Sequence, residues 1–383
     1  MSVALSHLSL NFLGGEEKLC LSFIEALHSS GYQVALHTVE KTDWASMRRF
    51  FGKITKPDRE VYTTSSAVHA SFFKTPNLIM AYARYLGRLV KLASEEKYDV
   101  IINTYGDLIN SIADVSYVHF PIIATVDYPQ TPAFTSPFKW KAYCRIYSIA
   151  ATFLDSVRPS FLLTNSKFTQ QVISKYLKRE ALVLHPPVDV QAYASNKVKR
   201  ENLVITVSKF TPKRMLHRIP LIAMNTKNAK FMIVGVADEY SSKTIQDLNR
   251  LIEKCKVKDK VTLYPNVPRS TLIKLLTTAK VYLHVMTSDH FGISIIEAMA
   301  AGCAPIVHKS GGPWLDILDQ QQGKTGFSYS TVEEAARLID IIMSDESLWR
   351  KLSFTSRKRS EDYSDQEFQK KLNVIVRKLS SSH

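Results

Sequence analysis

Asp289-His290-Phe291-Gly292-Ile293-Ser294-Ile295-Ile296-Glu297-Ala298-Met299-Ala300-Ala301-Gly302-Cys303-Ala304-Pro305-Ile306-Val307, followed by Ser310-Gly311-Gly312-Pro313, reads as loop, helix, strand and turn. The apolar run Val281 to Val285 before it has the character of a buried strand. Gly292 then lets the backbone come close to a ligand. Ile293 to Ala301 form a helix, and Ala304 to Val307 a second strand. A helix that starts beside the end of a strand attracts phosphate through its free N–H groups and its dipole. Asp289 in the loop and Glu297 about one turn into the helix lie eight positions apart. Two such carboxylates suit separate hydroxyl groups of one extended ligand, because a carboxylate accepts hydrogen bonds from vicinal hydroxyls.

The same rhythm extends outward. Apolar strands at Leu203 to Val207, Lys230 to Val234 and Val261 to Tyr264 alternate with helical stretches, so this half predicts a parallel α/β sheet. The first half opens with a strand at Val3 to Leu10, a Gly14-Gly15 turn, a helix to about Ser29, a stop at Gly31 and a strand from Gln33 to Val39. A helix from Leu78 to Ser94 and strands at Asp99 to Ile102, Ile122 to Val126 and Phe161 to Thr164 follow. His185-Pro186-Pro187-Val188-Asp189 and the polar run Asn196 to Asn202 interrupt regular structure and serve as a linker. The expected domains are 1–195, 196–345 and a helical tail, 346–383, in which Glu346 to Leu379 reads as helix. Parallel sheets bind ligands at the carboxyl ends of their strands, so two facing sheets predict a cleft.

Composition fits two soluble globular domains: 383 residues, 45% hydrophobic and 22% charged. Fifty basic against thirty-five acidic residues give a net charge of +15, which favours polyanions, whether nucleic acid, an anionic membrane face or phosphorylated ligands, without choosing among them. No helix-turn-helix, zinc or RNA-binding signature is present, which argues against nucleic acid. No Gly-x-Gly-x-x-Gly follows the first strand, which argues against a nicotinamide dehydrogenase. No apolar run approaches the ~20 residues of a membrane span, and no leader is evident, so the expected location is cytoplasmic. The four scattered cysteines are expected to be reduced core residues.

The run from Asp289 to Pro313 resembles the signature of the family 4 retaining glycosyltransferases. Its usual form is Glu-x-Phe-Gly-x-x-x-x-Glu-Ala-Met-Ala-x-Gly-x-Pro, then Gly-Gly-Pro. The resemblance implies the GT-B fold, an α/β architecture of two Rossmann-like parallel-sheet domains facing each other across a cleft. It assigns Asp289 to the donor hexose, the amides around Phe291, Gly292 and Ile293 to the sugar, and Glu297 to the ribose. Asp in place of the usual Glu shortens the reach by one methylene. Ser208-Lys209-Phe210-Thr211-Pro212-Lys213-Arg214 resembles the family's Arg-x-x-Pro-Glu-Lys stretch. Aligned on Pro212, Lys209 and Arg214 take the positions that neutralise the departing diphosphate, and Lys213 replaces an acid. Gly14-Gly15 resembles the family's glycine turn near the donor phosphate or acceptor. His119, in Tyr117-Val118-His119-Phe120-Pro121, matches the histidine that contacts the donor sugar near its reacting carbon. Taken singly, these features also fit ordinary surface acids, a basic turn, a plain glycine turn and a structural histidine.

Thr104-Tyr105-Gly106, His290-Phe291-Gly292-Ile293, Ser310-Gly311-Gly312-Pro313-Trp314-Leu315-Asp316-Ile317 and Gly323-Lys324-Thr325-Gly326-Phe327 narrow the likeness. They resemble the α-1,2-mannosyltransferase branch that extends dolichol-linked glycans from GDP-mannose. This implies a nucleotide-sugar donor, a lipid-linked glycan acceptor, an anionic membrane surface as partner, peripheral attachment at its cytoplasmic face, and no cofactor. A UDP-sugar-dependent transferase of the same family is the alternative. No Asp-x-Asp site is apparent, so metal independence is expected. Phe134, Phe138, Lys139, Trp140, Lys141, Tyr143, Arg145 and Tyr147 mix aromatics with cations, and Arg84, Arg88 and Lys91 add charge nearby. That pattern fits an interfacial segment or, equally, core aromatics beside a solvated basic face.

Overall fold

The computed structural model describes residues 1–64, 75–106, 113–128, 145, 161–193, 199–238 and 240–380. The chain divides into two compact units, Met1–Pro187 with Asp365–His383, and Val188–Ser364.

The first unit runs β1 (Ser2–Ser6), α1 (Gly15–Ser29), β2 (Gln33–Glu40), α2 (Trp44–Phe51), β3 (Arg59–Thr64), α3 (Thr75–Glu95), β4 (Val100–Asn103), β5 (Val115–Val118), β6 (Phe161–Thr164), α4 (Lys167–Leu177) and β7 (Leu182–Val183). Among the described residues these strands form a seven-stranded sheet in the order β3-β2-β1-β4-β5-β6-β7. Every pairing is parallel, with Val3 beside Val34 and Val100. Parallel sheets are covered on both faces, which is why these strands are almost continuously apolar. On one face Leu19, Phe23, Ile24 and Leu27 of α1 pack with Val3, Leu5, Val100 and Ile102, together with Phe368 and Leu372 from the end of the chain.

The second unit runs β8 (Glu201–Val207), α5 (Arg218–Met224), β9 (Lys230–Gly235), α6 (Ser242–Lys254), β10 (Val261–Pro265), α7 (Arg269–Thr278), β11 (Ala279–His284), α8 (Ile293–Ala300), β12 (Ala304–His308), β13 (Phe327–Tyr329), α9 (Val332–Ser344) and α10 (Glu346–Ser360). A final helix, α11 (Asp365–Ser380), belongs to the first unit. The second sheet has the order β10-β9-β8-β11-β12-β13. In both sheets strand order reverses beside the first strand, between β1 and β4 and between β8 and β11. These are the points where doubly wound sheets open to ligands.

The structure corrects several sequence expectations. Ile122–Val126 is a 3-10 helix, not a strand. Pro121 before it lacks an N–H for a ladder, and the edge of β5 is already paired with β6. The terminal stretch is two helices, because Glu361–Tyr363 forms a 3-10 turn and Ser364 is extended. Buried Tyr363 holds that break by donating its hydroxyl to Asp316 O at 2.9 Å, and its carbonyl accepts from Val188 N at 2.8 Å. β3, β5, β7 and β13 have no counterpart in the sequence reading. Of the interfacial segment, Phe134, Phe138, Lys139, Trp140, Lys141, Tyr143 and Tyr147 lie outside the described residues, as does Cys144, while Arg145 is exposed. Arg84 and Lys91 on α3 are exposed, but Arg88 is turned inward, 3.8 Å from Glu96 and 11% exposed. Among the described residues no helix is long and apolar enough to cross a membrane.

Candidate functional site

In the second unit the predicted residues gather at the carboxyl ends of β8 and β11. After β8 the chain passes through Ser208-Lys209 to Phe210, whose fully buried ring anchors the loop, and into a short 3-10 turn, Pro212–Arg214. The loop lies tight on β9: a Cβ at Gly235 would stand 1.7 Å from Ser208 O. Lys209 is exposed. Burial and the neighbouring Arg214 lower the pKa of Lys213. Arg214 reaches across, its Nη1 3.1 Å from Met286 Sδ and 3.9 Å from Asp289 Oδ2.

Asp289 follows β11. Its Oδ2 lies 3.0 Å from His284 Nε2, the last residue of that strand, and its side chain is 13% exposed. Burial alone would raise the Asp289 carboxyl, but His284, Arg214 and His290 hold it well below the usual carboxylate range. Asp289 is therefore ionised at any working pH. The Ser310-Gly311-Gly312 turn after β12 fixes its backbone: Gly312 N donates to Asp289 O at 2.8 Å, and Ser310 Oγ accepts from Ser288 N at 2.9 Å. The fit depends on glycine. Gly311 has φ +71°, and a Cβ there would meet Asp289 O at 2.4 Å; one at Gly312 would meet His290 O at 2.3 Å.

Gly292, with φ +98°, turns the chain into α8 at the expected place. Phe291 is buried beside Tyr363, with ring centroids 5.6 Å apart, so its ring is core and its backbone is the part near the site. Ile293 opens the helix. Glu297, one turn further on, accepts the hydroxyl of buried Tyr193 on Oε1 at 2.7 Å. Burial and Glu297 push that phenol far above its usual pKa, which keeps it a neutral donor. Tyr282 Oη lies 2.7 Å from Ser294 Oγ and donates to Val207 O at 3.3 Å, so α8 is tied to the end of β8. A short helix start, two basic side chains and two acids, Asp289 and Glu297, arranged at a strand-order reversal, form a candidate site for a phosphorylated and hydroxyl-rich ligand.

In the first unit, Gly14 is the N-cap of α1 and Gly15 its first residue. Gly14 N–H donates to Glu17 Oε2 at 2.6 Å, so that amide is engaged by the protein itself. His119 follows β5; its Nε2 donates to Thr104 O at 3.0 Å, and Asn165 Nδ2 donates to His119 O at 2.8 Å. Burial, opposed by that carbonyl, pushes the His119 imidazole down to about 4. At neutral pH His119 therefore has an N–H fixed at Nε2 and a lone pair at Nδ1.

Sequence reasoning missed His284, Tyr193 and the glycine clamp on Asp289. A polar residue ending an apolar strand, as in Leu283-His284, was the available signal for the first. Tyr193 carried none, because its 3-10 turn, Val190–Tyr193, is set by tertiary packing against α8.

Residues 189–359 match the family described as Glycosyl transferases group 1. The chain is similar to a protein of Dictyostelium discoideum named GDP-Man:Man(3)GlcNAc(2)-PP-Dol alpha-1,2-mannosyltransferase, 24% identical over 72% of this chain and 57% of that protein. The human protein of the same name is 29% identical over 69% of this chain and 60% of its own length. The chain thus spans little more than half the length of these relatives. Among solved structures, Anabaena HepE in complex with UDP and glucose superposes with a TM-score of 0.72 at 16% identity, covering 99% of this chain and 100% of that one. The fold is GT-B, as the resemblance implied.

Proposed function

We propose, from the match of residues 189–359 to the glycosyl transferases group 1 family, that the protein transfers mannose from GDP-mannose to a lipid-linked glycan acceptor. The observation that carries this reading is the Asp289 to Glu297 loop and helix start, clamped by Gly311-Gly312 and faced by Arg214. The names of the relatives support the donor and the acceptor class.

In this reading Lys209 and Arg214 stabilise the nucleoside diphosphate as its charge grows. Asp289 and the amides around Phe291, Gly292 and Ile293 orient the hexose. Glu297, held by Tyr193, accepts from the ribose hydroxyls. The acceptor hydroxyl attacks from the face the diphosphate leaves, so the anomeric configuration is retained. His119 meets the sugar as a neutral imidazole. Turnover needs no divalent metal: activity abolished by EDTA and restored by manganese would contradict this. The acceptor's lipid places the protein against the cytoplasmic membrane face, which equal, negligible sedimentation with anionic and neutral vesicles would refute.

The deciding experiment is thermal stabilisation by GDP-mannose, GDP, UDP-glucose and UDP-N-acetylglucosamine, with Glu297→Ala as control. Stabilisation by the guanine nucleotides, lost in the variant, is expected. Stabilisation by uridine nucleotides alone would replace the donor.

A further inference from the structure

At the strand-order reversal of the first sheet, a buried polar chain runs between two parts of the predicted site. His7, directly after β1, is fully buried. Its Nδ1 lies 3.0 Å from Thr104 Oγ1. Thr104 donates its one hydroxyl proton to Ser6 O at 3.0 Å, so toward His7 it accepts, and His7 carries its proton on Nδ1. His7 Nε2 then faces Glu17 Oε1 at 3.8 Å, with Glu17 only 3% exposed. A bare lone pair beside a buried carboxylate would be repulsive, whereas a second N–H forms an ion pair. Glu17 Oε2 accepts Gly14 N–H at the glycine turn, and Thr104 O accepts His119 Nε2–H.

We propose that Glu17 and His7 are positioning residues, a buried carboxylate and imidazolium that hold the Gly14-Gly15 turn at one end and, through Thr104, the His119 ring at the other. The charge of His7 cancels that of Glu17, so the turn offers its ligand no net negative charge. This rests on the glycosyltransferase reading, in which an anionic nucleotide sugar is the ligand. The groups facing His7 are Glu17 and Cys20 from α1, Thr104 and Tyr105 after β4, and His119 after β5. Burial lowers the His7 pKa, but Cys20 and Glu17 outweigh it and raise it to about 10. The charge of His7 in turn helps keep His119 neutral.

The test pairs imidazole nitrogen NMR with kinetics on wild type, Glu17→Gln, His7→Asn and the double variant. In wild type at pH 8, His7 is expected to be doubly protonated, and in Glu17→Gln singly protonated. Each single variant should raise KM for the nucleotide sugar at least tenfold. The double variant, in which two neutral amides replace the ion pair without leaving a buried charge, should fold and recover to within about fivefold of wild type. A neutral His7 in wild type at pH 8, or a folded double variant whose KM stays as high as that of either single variant, overturns the proposal. If wild type neither binds nor turns over any nucleotide sugar, the glycosyltransferase reading fails, and the NMR arm still decides whether Glu17 holds His7 charged.

Discussion

Gly311→Ala tests the clamp on Asp289. An alanine Cβ would stand 2.4 Å from Asp289 O, where ordinary contact begins at 3.4 Å, so the loop must retreat by 3.4 − 2.4 = 1.0 Å. The left-handed φ of +71° adds about 1 kcal/mol of backbone strain for a residue with a Cβ. Retreat also strains the hydrogen bond from Gly312 N to Asp289 O, worth about 1 kcal/mol. The sum, about 2 kcal/mol, lowers the Tm by roughly 4–8 °C for a domain of this size. The larger effect is on chemistry: in the proposed function, where Asp289 orients the sugar, moving its carboxylate by 1 Å costs on the order of 100-fold in kcat/KM. Gly323→Ala is the matched control. It has φ +73°, but its Cβ would lie 3.3 Å from the Phe327 ring and nowhere near Asp289. Measuring Tm and kcat/KM with the stabilising nucleotide sugar separates strain from displacement. If Gly311→Ala keeps kcat/KM within threefold of Gly323→Ala, the clamp does not position Asp289 and the reasoning fails.

Tyr193→Phe removes the hydroxyl that Glu297 accepts and should weaken nucleotide-sugar binding about 5- to 30-fold, the equivalent of 1–2 kcal/mol; titration calorimetry measures it. The folded-state pKa of Asp289 lies below its unfolded value, so its contribution to stability stands above about pH 4 and is lost as pH falls further. Asp289→Asn should therefore melt lower than wild type at pH 7, with the gap constant down to about pH 4 and narrowing only below it in calorimetric scans. His37 is buried, donates to Tyr98 and sits near Arg88 and Arg59; burial, more than Glu96 opposes it, brings its pKa down to about 4. Its neutral form is the native one, so this stability is complete above pH 6.5 and drains away as pH falls from 6.5 to about 4. His37→Gln should flatten the wild-type Tm decline over that window, and an unchanged slope would exclude it.

The strand and helix rhythm around β1, β2, β8, β9 and β11 was legible because each is a run of apolar residues bounded by glycine or a polar turn. β5 escaped because it is four residues long and carries Ser116, which is buried by the sheet on either side rather than exposed by alternation. β13, three residues long, is defined by its neighbour β12 and not by its own pattern. The break between α10 and α11 was invisible for a related reason: Glu361 to Tyr363 is helix-compatible locally, and only the tie of Tyr363 to Asp316 and Val188 ends the helix there.

The candidate site's geometry was legible where residue type suffices and illegible where register decides. Asp289, Gly292 and Glu297 announce themselves by spacing along one segment. Their support comes from elsewhere in the sequence, and parallel pairing brings it in: β11 and β12 run side by side with His284 opposite Val307, so the loops that leave them emerge together. Residues 288 and 289 then meet 310 and 312 without any local signal, through Ser288 N to Ser310 Oγ and Gly312 N to Asp289 O. The same register sets His284 at the strand end, where its ring spans the distance to an aspartate. An acid one methylene shorter than the glutamate of the signature this segment resembles is thus fixed from below by His284 and from behind by the glycine turn. The shortened reach and the histidine form one unit, so enlarging Asp289 to Glu while keeping His284 should crowd the site rather than restore a better one.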